Sequence, residues 1–178
     1  MLRIDKDIMQ NIYDGDDNDF RLAYWFAEMV DPDNNSYTHM IKYMDVDDID
    51  EKTKVSRGYT YIIPVLRMSE VYLIAAECCP DPKVGRDYLN VVRSARNVKN
   101  VEDEVDLMTA IEQEFRREFL GEGQLFWLYK RKGKAEIISG EKQGKMVSME
   151  ERFYLFDLPQ SEQYYREENG IGTVSYTH

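Results

Sequence analysis

The chain has 178 residues, and its 34 acidic residues outnumber its 23 Lys and Arg residues, so the formal net charge is −11. With 43% hydrophobic residues, it is long and apolar enough to bury a real core as one domain, which excludes a generic disordered acidic chain. The negative charge argues against nucleic acid and anionic lipid as partners, because phosphates need a basic face, and it leaves small ligands, sugars and proteins open.

The start of the chain and its apolar stretches carry no membrane signal. Residues 1–7 lack the apolar core of a signal peptide, and no run reaches the roughly 18 apolar residues of a membrane-spanning helix. The two cysteines are adjacent, which does not indicate a disulfide framework, and only His39 and His178 are present. We therefore predict neither a metal site nor a cofactor.

The N-terminal part predicts one helix, one strand and a charged loop. The polar turn at 14–19 supplies Asp and Asn caps, and apolar residues then recur at helical spacing over 20–30. Residues 37–44 are predicted as a short strand, 45–58 as a charged loop and 59–63 as a β-rich segment.

Two helices joined by a proline-containing turn are predicted next. The helix over 65–79 is apolar nearly all round, whereas the helix over 83–97 has an apolar stripe and a polar stripe. Such a pattern is typical of a hairpin of two helices with a buried face.

Charged side chains of this hairpin are predicted to form a network of buried ion pairs and hydrogen bonds. This interpretation explains them better than a binding site does. The members of the network are Arg67, Glu70, Glu77, Arg93 and Arg96. We expect Glu77 to pair with Arg93 or Arg96. Removing one partner of a buried ion pair typically costs about 3–5 kcal/mol, so the network would specify how the helices pack.

Helical periodicity returns over 107–119 and again over 125–129, after a break at Gly121 and Gly123. The cations at 130–132 suit the C-terminus of a helix. The remainder is predicted as a flexible polar loop over 133–149, an extended segment over 152–159 and a polar tail over 160–178.

Motifs for catalysis or metal binding are absent or incomplete. Loops that start at Asp14 and Asp31 lack the glycine and glutamate of an EF-hand. No nucleophile elbow, Walker loop or dinucleotide fingerprint occurs. Glu112, Glu114 and Glu118 are interpreted as a solvated helix face, and no carboxylate pair stands out as the acid and base of a glycosidase. No catalytic residue is predicted.

Tyrosine is abundant, with 13 residues. Sugars place their apolar C–H faces on aromatic rings, and Tyr24, Trp25, Tyr37 and Tyr43 are candidates for that role. Packing in the core and at its rim explains the same residues more simply. The ligand-binding residues therefore stay unknown.

Five stretches together resemble motifs of the SusD/RagB family and occur in the family's order. They are Asp19-Phe20-Arg21, the Arg–Glu helix at 64–77, the LN-x-x-R helix at 88–96, the E-x-x-x-E-x-x-x-EG segment at 114–131 and the IP-x-x-E-like 158–162. The chain departs from the family pattern at Gly121, Leu125 and Leu128, where an aromatic, an Arg and an Asp are usual.

The resemblance implies a mostly α-helical fold of tetratricopeptide-like helix hairpins with a few short strands. It implies one domain over 1–178 that matches the C-terminal portion of the family, as a truncated gene product, a fragment of a longer protein or a reduced family member. The implied function is non-enzymatic binding of oligosaccharides or other nutrients. The implied place is the cell outer membrane, as a surface-exposed lipoprotein whose partner is a SusC-type TonB-dependent channel.

Two other functions stay open. One is a helical protein-interaction module that binds no ligand, and the other, less well supported, is a glycan hydrolase that uses acidic side chains.

Overall fold

The computed structural model describes residues 3–4, 6–13, 16–43, 65–139, 145–156 and 159–169, and every structural statement concerns these residues. In chain order they form β1 (Arg3–Ile4), α1 (Lys6–Tyr13), α2 (Phe20–Trp25), β2 (Phe26–Val30), β3 (Ser36–Met40), α3 (Met68–Cys78), α4 (Pro82–Ala95), α5 (Leu107–Glu118), α6 (Gln124–Arg131), β4 (Glu136–Ile138), β5 (Met146–Ser148), a 3-10 turn (Glu151–Tyr154) and α7 (Gln160–Glu168). The predicted mostly α fold with a few short strands is confirmed.

The N-terminal sheet contains three antiparallel strands in the order β1-β3-β2, with Phe26 opposite Met40 and Val30 opposite Ser36. The strand predicted over 37–44 is therefore present as β3. The helix predicted over 20–30 is present only as α2 with its Asp19 cap, and its second half is wrong, because the chain leaves the helix at Phe26 and pairs with β3. Tertiary pairing here overrides the helical spacing of the apolar residues.

Helices α3 and α4 form the predicted hairpin. Asp81 caps α4 by accepting a hydrogen bond from the Lys83 backbone N–H at 2.9 Å, and Pro82 occupies its first turn, where a missing N–H costs nothing. The two helices meet through apolar side chains, including Leu73 and Leu89. Among the described residues, no ion pair joins α3 to α4.

Helix α5 lies between two apolar clusters. The larger cluster contains Leu73, Ala76, Leu89, Val92, Leu107, Ala110, Ile111, Phe115, Phe119 and Leu128. The smaller one contains Ile8, Ile12, Tyr13 and Phe26, with Leu120 packed against it. Helix α5 contacts α1, α3 and α4, and it therefore connects the two clusters.

The C-terminal part is more regular than predicted. The polar loop predicted over 133–149 contains the antiparallel hairpin β4–β5, in which Ile137 pairs with Val147. The segment predicted as extended includes the 3-10 turn, and the first residues of the predicted tail form α7. Alternating or sparse apolar residues gave too weak a periodic signal in these short elements.

Several predictions lie outside the described residues, namely the charged loop over 45–58, the β-rich segment over 59–63 and the end of the tail. Of the helices that the structure describes, none is long and apolar enough to cross a membrane.

Gly85→Ala should destabilise the protein although alanine favours helices. A Cβ at Gly85 would lie 2.8 Å from the carbonyl O of Ala76 and 3.0 Å from Cδ2 of Leu107. We expect a loss of about 1–3 kcal/mol in the free energy of unfolding, as for other overpacked sites. Urea denaturation measures it, with the exposed Asp87→Ala in the same helix as the control. Equal stability of the two variants would contradict the close approach of α3 and α4.

Candidate functional site

Three glutamates spaced four residues apart are placed by α5 and the turn after it. The side chains of Glu114 and Glu118 are fully buried, and that of Glu122 is nearly so. The interpretation of Glu114 and Glu118 as a solvated helix face is therefore wrong. They lie directly beside Phe115 and Phe119 on the packed side of the helix, and their charge is balanced by cations from other elements.

Arg21 is the most deeply placed of these cations, with 1% of its surface exposed. Its Nη2 lies 2.7 Å from Glu114 Oε1, and its Nη1 lies 3.1 Å from Glu118 Oε2. The same guanidinium binds Asp19 through Nη2 at 2.7 Å and through Nε at 2.9 Å. Asp19 also caps α2, because it accepts from the Arg21 backbone N–H.

Burial alone would lower the pKa of Arg21, but the hydrogen bond to Asp19 and the negative charges of Glu114 and Asp19 raise it. The guanidinium therefore stays charged inside the protein, and the three carboxylates around it are ion-paired rather than solvated.

Helix α4 and the residue that directly follows it contribute two further arginines. Arg96 donates from Nε to Glu118 Oε2 at 3.0 Å and from Nη2 to Glu118 Oε1 at 2.7 Å, which is the bidentate geometry that suits a carboxylate. Arg93 donates from Nη1 to Glu114 Oε2 at 2.9 Å and from Nε to the Lys99 carbonyl at 2.7 Å. Arg93 and Arg96, the two expected partners of Glu77, thus bind glutamates of α5 instead.

A third group of contacts surrounds Glu122. Arg67, at the N-terminal end of α3, places Nη2 2.9 Å from both carboxylate oxygens of Glu122 and stacks 4.5 Å above the Phe119 ring. Lys42 also pairs with Glu122 and lies 3.5 Å from the centre of the Trp25 ring. Burial lowers the pKa of Lys42 to about 8, although the hydrogen bond with Glu122 acts in the opposite direction.

We call this set of side chains the α5 network. Its members are Asp16, Asp19, Arg21, Lys42, Arg67, Arg93, Arg96, Glu114, Arg117, Glu118 and Glu122. Four of the five stretches that resemble family motifs contribute to it.

The remaining two predicted members lie elsewhere. Contrary to the expected pairing with Arg93 or Arg96, Glu77 pairs with Arg131 of α6, at 2.7 and 3.0 Å. The hydrogen bond from Arg131 holds the pKa of Glu77 below its usual range, against a smaller effect of burial. Glu70 is half-buried and has no ion pair within the described residues. Spacing alone did not reveal that these two side chains face α6.

Glu118 is unsuited to act as a general acid. Burial is the largest single effect on Glu118 and would raise its pKa, but hydrogen bonding by Arg96 and the charges of Arg96 and Arg21 together lower it. A carboxylate held ionised cannot donate the proton that glycoside hydrolysis requires. The part of the chain that the structure describes also contains no group of His, Cys, Asp and Glu arranged to hold a metal ion.

A surface groove lies between α3 and α6, with a volume of about 550 Å³. Glu70 and Ile74 form the α3 side, and Gln124 and Trp127 belong to the α6 side. Phe115 of α5 also lines it. Trp127 belongs to an aromatic cluster with Phe126 and Phe156, none of which is among the predicted site residues.

The aromatic residues selected from the sequence do not form one platform. Tyr24 is 68% exposed and contacts Phe20, whereas Tyr37 packs against His39 in β3. Trp25 and Tyr43 both face the Lys42 ammonium. Trp25 is therefore part of the surroundings of the α5 network.

Glu118→Gln should cost about 3–5 kcal/mol of unfolding free energy, because it leaves the buried Arg21 and the partly buried Arg96 without their full counter-charge. Guanidinium denaturation measures the loss. Glu112→Gln is the matched control on the same helix, since Glu112 forms a more exposed pair with Lys134 at 2.8 Å and should cost about 1 kcal/mol or less. Equal losses would show that burial of Glu118 does not matter.

Acid should unfold the protein through the α5 network. Because the pKa of Glu118 is lowered in the folded state, its contribution is fully present above the unfolded value of about 4.3 and is lost as the pH falls through the folded value. Urea unfolding at pH values between 7 and 3 should show that the free energy of unfolding decreases as the pH is lowered below the unfolded pKa of about 4.3. Glu118→Gln should flatten this decline, and an equally steep decline in the variant would contradict the assignment.

The comparisons with known proteins agree with these motifs. Residues 16–169 match the family model described as the SusD family. Searches of curated proteins and of solved structures found no significant match. The matched region contains the whole α5 network and covers most of the chain, so this protein belongs to the SusD family.

Proposed function

We propose that the chain is a non-enzymatic, SusD-like protein that binds glycans or other nutrients for TonB-dependent uptake across the outer membrane. In this proposal it corresponds to the C-terminal portion of a longer surface lipoprotein with tetratricopeptide-like helix hairpins, and it acts beside a SusC-type channel. At the level of the family, SusD proteins bind glycans and work with SusC-type transporters.

The observation that carries the proposal is the family match over residues 16–169. The α5 network supports its non-enzymatic part, because Glu114 and Glu118 are buried and occupied by arginines. A glycosidase needs one carboxyl group with a raised pKa near the substrate, whereas the pKa of Glu118 is lowered. A glycan hydrolase is therefore the least supported alternative.

A second candidate function has its own observation. The hairpin of α3 and α4 exposes several large apolar side chains, namely Met68 (65%), Val71 (54%), Tyr88 (37%) and Val91 (46%). Exposed apolar groups close together are typical of surfaces that contact another protein. This favours a protein-interaction module if ligand binding is absent.

The experiment that separates these functions is titration calorimetry of the purified chain with maltohexaose, cellohexaose, xylohexaose, mannohexaose and oligogalacturonate, together with a reducing-end assay on the same mixtures. Saturable binding without new reducing ends is the predicted result. Release of reducing ends would contradict the non-enzymatic assignment. No heat with any oligosaccharide, combined with co-purification with a co-expressed SusC-type channel, would favour the interaction module.

A further inference from the structure

We propose that the groove between α3 and α6 binds a neutral hexopyranose unit of a glycan, with one face of the sugar stacked on Trp127. This inference rests on the proposed function and names its binding site. It is carried by the shape of the groove, by the exposed ring on one wall and by the polar groups around it.

The two walls of the groove are helices that are joined to each other by hydrogen bonds. Gln124, Trp127 and Arg131 recur at helical spacing and so share one face of α6, while Glu70 lies seven residues before Glu77 on α3. The two hydrogen bonds between Arg131 and Glu77, at 3.0 and 2.7 Å, join the two helices. The volume of about 550 Å³ lies within the roughly 300–1,000 Å³ of small-molecule sites.

Trp127 is exposed but held in position. Of its surface, 54% is accessible, while its ring packs against Phe126 with centroids 5.3 Å apart and against Phe156 at 5.8 Å. The buried side chains of Phe115 and Leu128 also line the groove. An indole that keeps an accessible surface beside an apolar lining offers an area for the C–H face of a pyranose ring.

The polar groups suit a neutral ligand with hydroxyl groups. Glu70 is half-buried in the first turn of α3, where the helix end favours a negative charge, and within the described residues it has no ion pair. Lys130 lies 5.7 Å from the centre of the Trp127 ring and is likewise unpaired in the described part. Because Glu77 neutralises Arg131, the remaining carboxylate and ammonium balance each other.

Because these two charges are opposite, the groove has no net charge that would favour an anionic or a cationic ligand over a neutral one. Sugar hydroxyls both donate and accept, so they can satisfy the Glu70 carboxylate, the Gln124 amide and the Lys130 ammonium together.

The test uses the same five oligosaccharides with three variants. Trp127→Ala should weaken binding of a neutral hexasaccharide by about tenfold or more, because the stacked ring is lost. Glu70→Gln should weaken it by about threefold or more, because the charged acceptor becomes a weaker neutral one. Tyr24→Ala removes an even more exposed ring outside the groove and should leave the affinity unchanged.

A second measurement keeps the test independent of how the variants fold. In the unmutated protein, a bound hexasaccharide should protect tryptophan fluorescence from quenching by acrylamide, because Trp127 is more exposed than the half-buried Trp25. Protection together with the loss in Trp127→Ala supports the proposal.

Failure of the groove and failure of the proposed function give different results. Full affinity in Trp127→Ala, or binding of oligogalacturonate alone, would overturn the groove proposal while glycan binding stands. Absence of binding by the unmutated chain to all five oligosaccharides would overturn both.

Discussion

The burial of Glu114 and Glu118 is the constraint on which the rest of the structure depends. Taking a carboxylate out of water costs several kcal/mol, and this cost is offset only when cations and hydrogen bonds reach the same oxygens. Here the required cations come from three separate elements, since Arg21 lies in α2, Arg67 precedes α3, and Arg93 and Arg96 belong to α4 and its end. Each element must therefore approach α5 in one register.

The same contacts unite the two apolar clusters. Tyr13 of the smaller cluster donates from its hydroxyl to the Arg117 carbonyl at 2.9 Å, and Arg117 donates from Nε to the Ile12 carbonyl at 2.9 Å. Arg117 also binds Asp16 at 2.6 Å. The N-terminal sheet and helices are thus joined to the helical part by directional polar contacts as well as by packing, which favours a single arrangement of the two.

The sequence predicted the elements whose signals are local. Helices α3 to α6 follow from the spacing of apolar residues, and the start of α4 follows from Asp81 and Pro82. It did not predict β2, because residues 26–30 pair with a strand that lies later in the chain. Nor did it predict the burial of Glu114 and Glu118, since a glutamate on a helix is usually solvated and the compensating arginines are far away in sequence.

For the candidate sites too, local features could be predicted from the sequence, whereas contacts between distant parts of the chain could not. Arg67, Arg93 and Arg96 could be selected as structural charges from their motifs, but their partners could not, because the partners depend on how α4 packs against α5. The groove near Trp127 has no sequence signature, since α3 and α6 are distant in the chain. The α5 network holds the charged motif residues inside the protein, so in the proposed function the ligand is recognised by side chains on the surface.

A double-mutant cycle between Arg21 and Glu114 tests the buried α5 network most directly. The unfolding free energies of Arg21→Met, Glu114→Gln and the double variant are compared with that of the unmutated chain. Each single change leaves the other charge buried without its partner. The loss of unfolding free energy in the double variant should therefore be smaller than the sum of the two single losses by about 1–3 kcal/mol. Additivity within about 0.5 kcal/mol would show that these two charges do not hold α2 against α5.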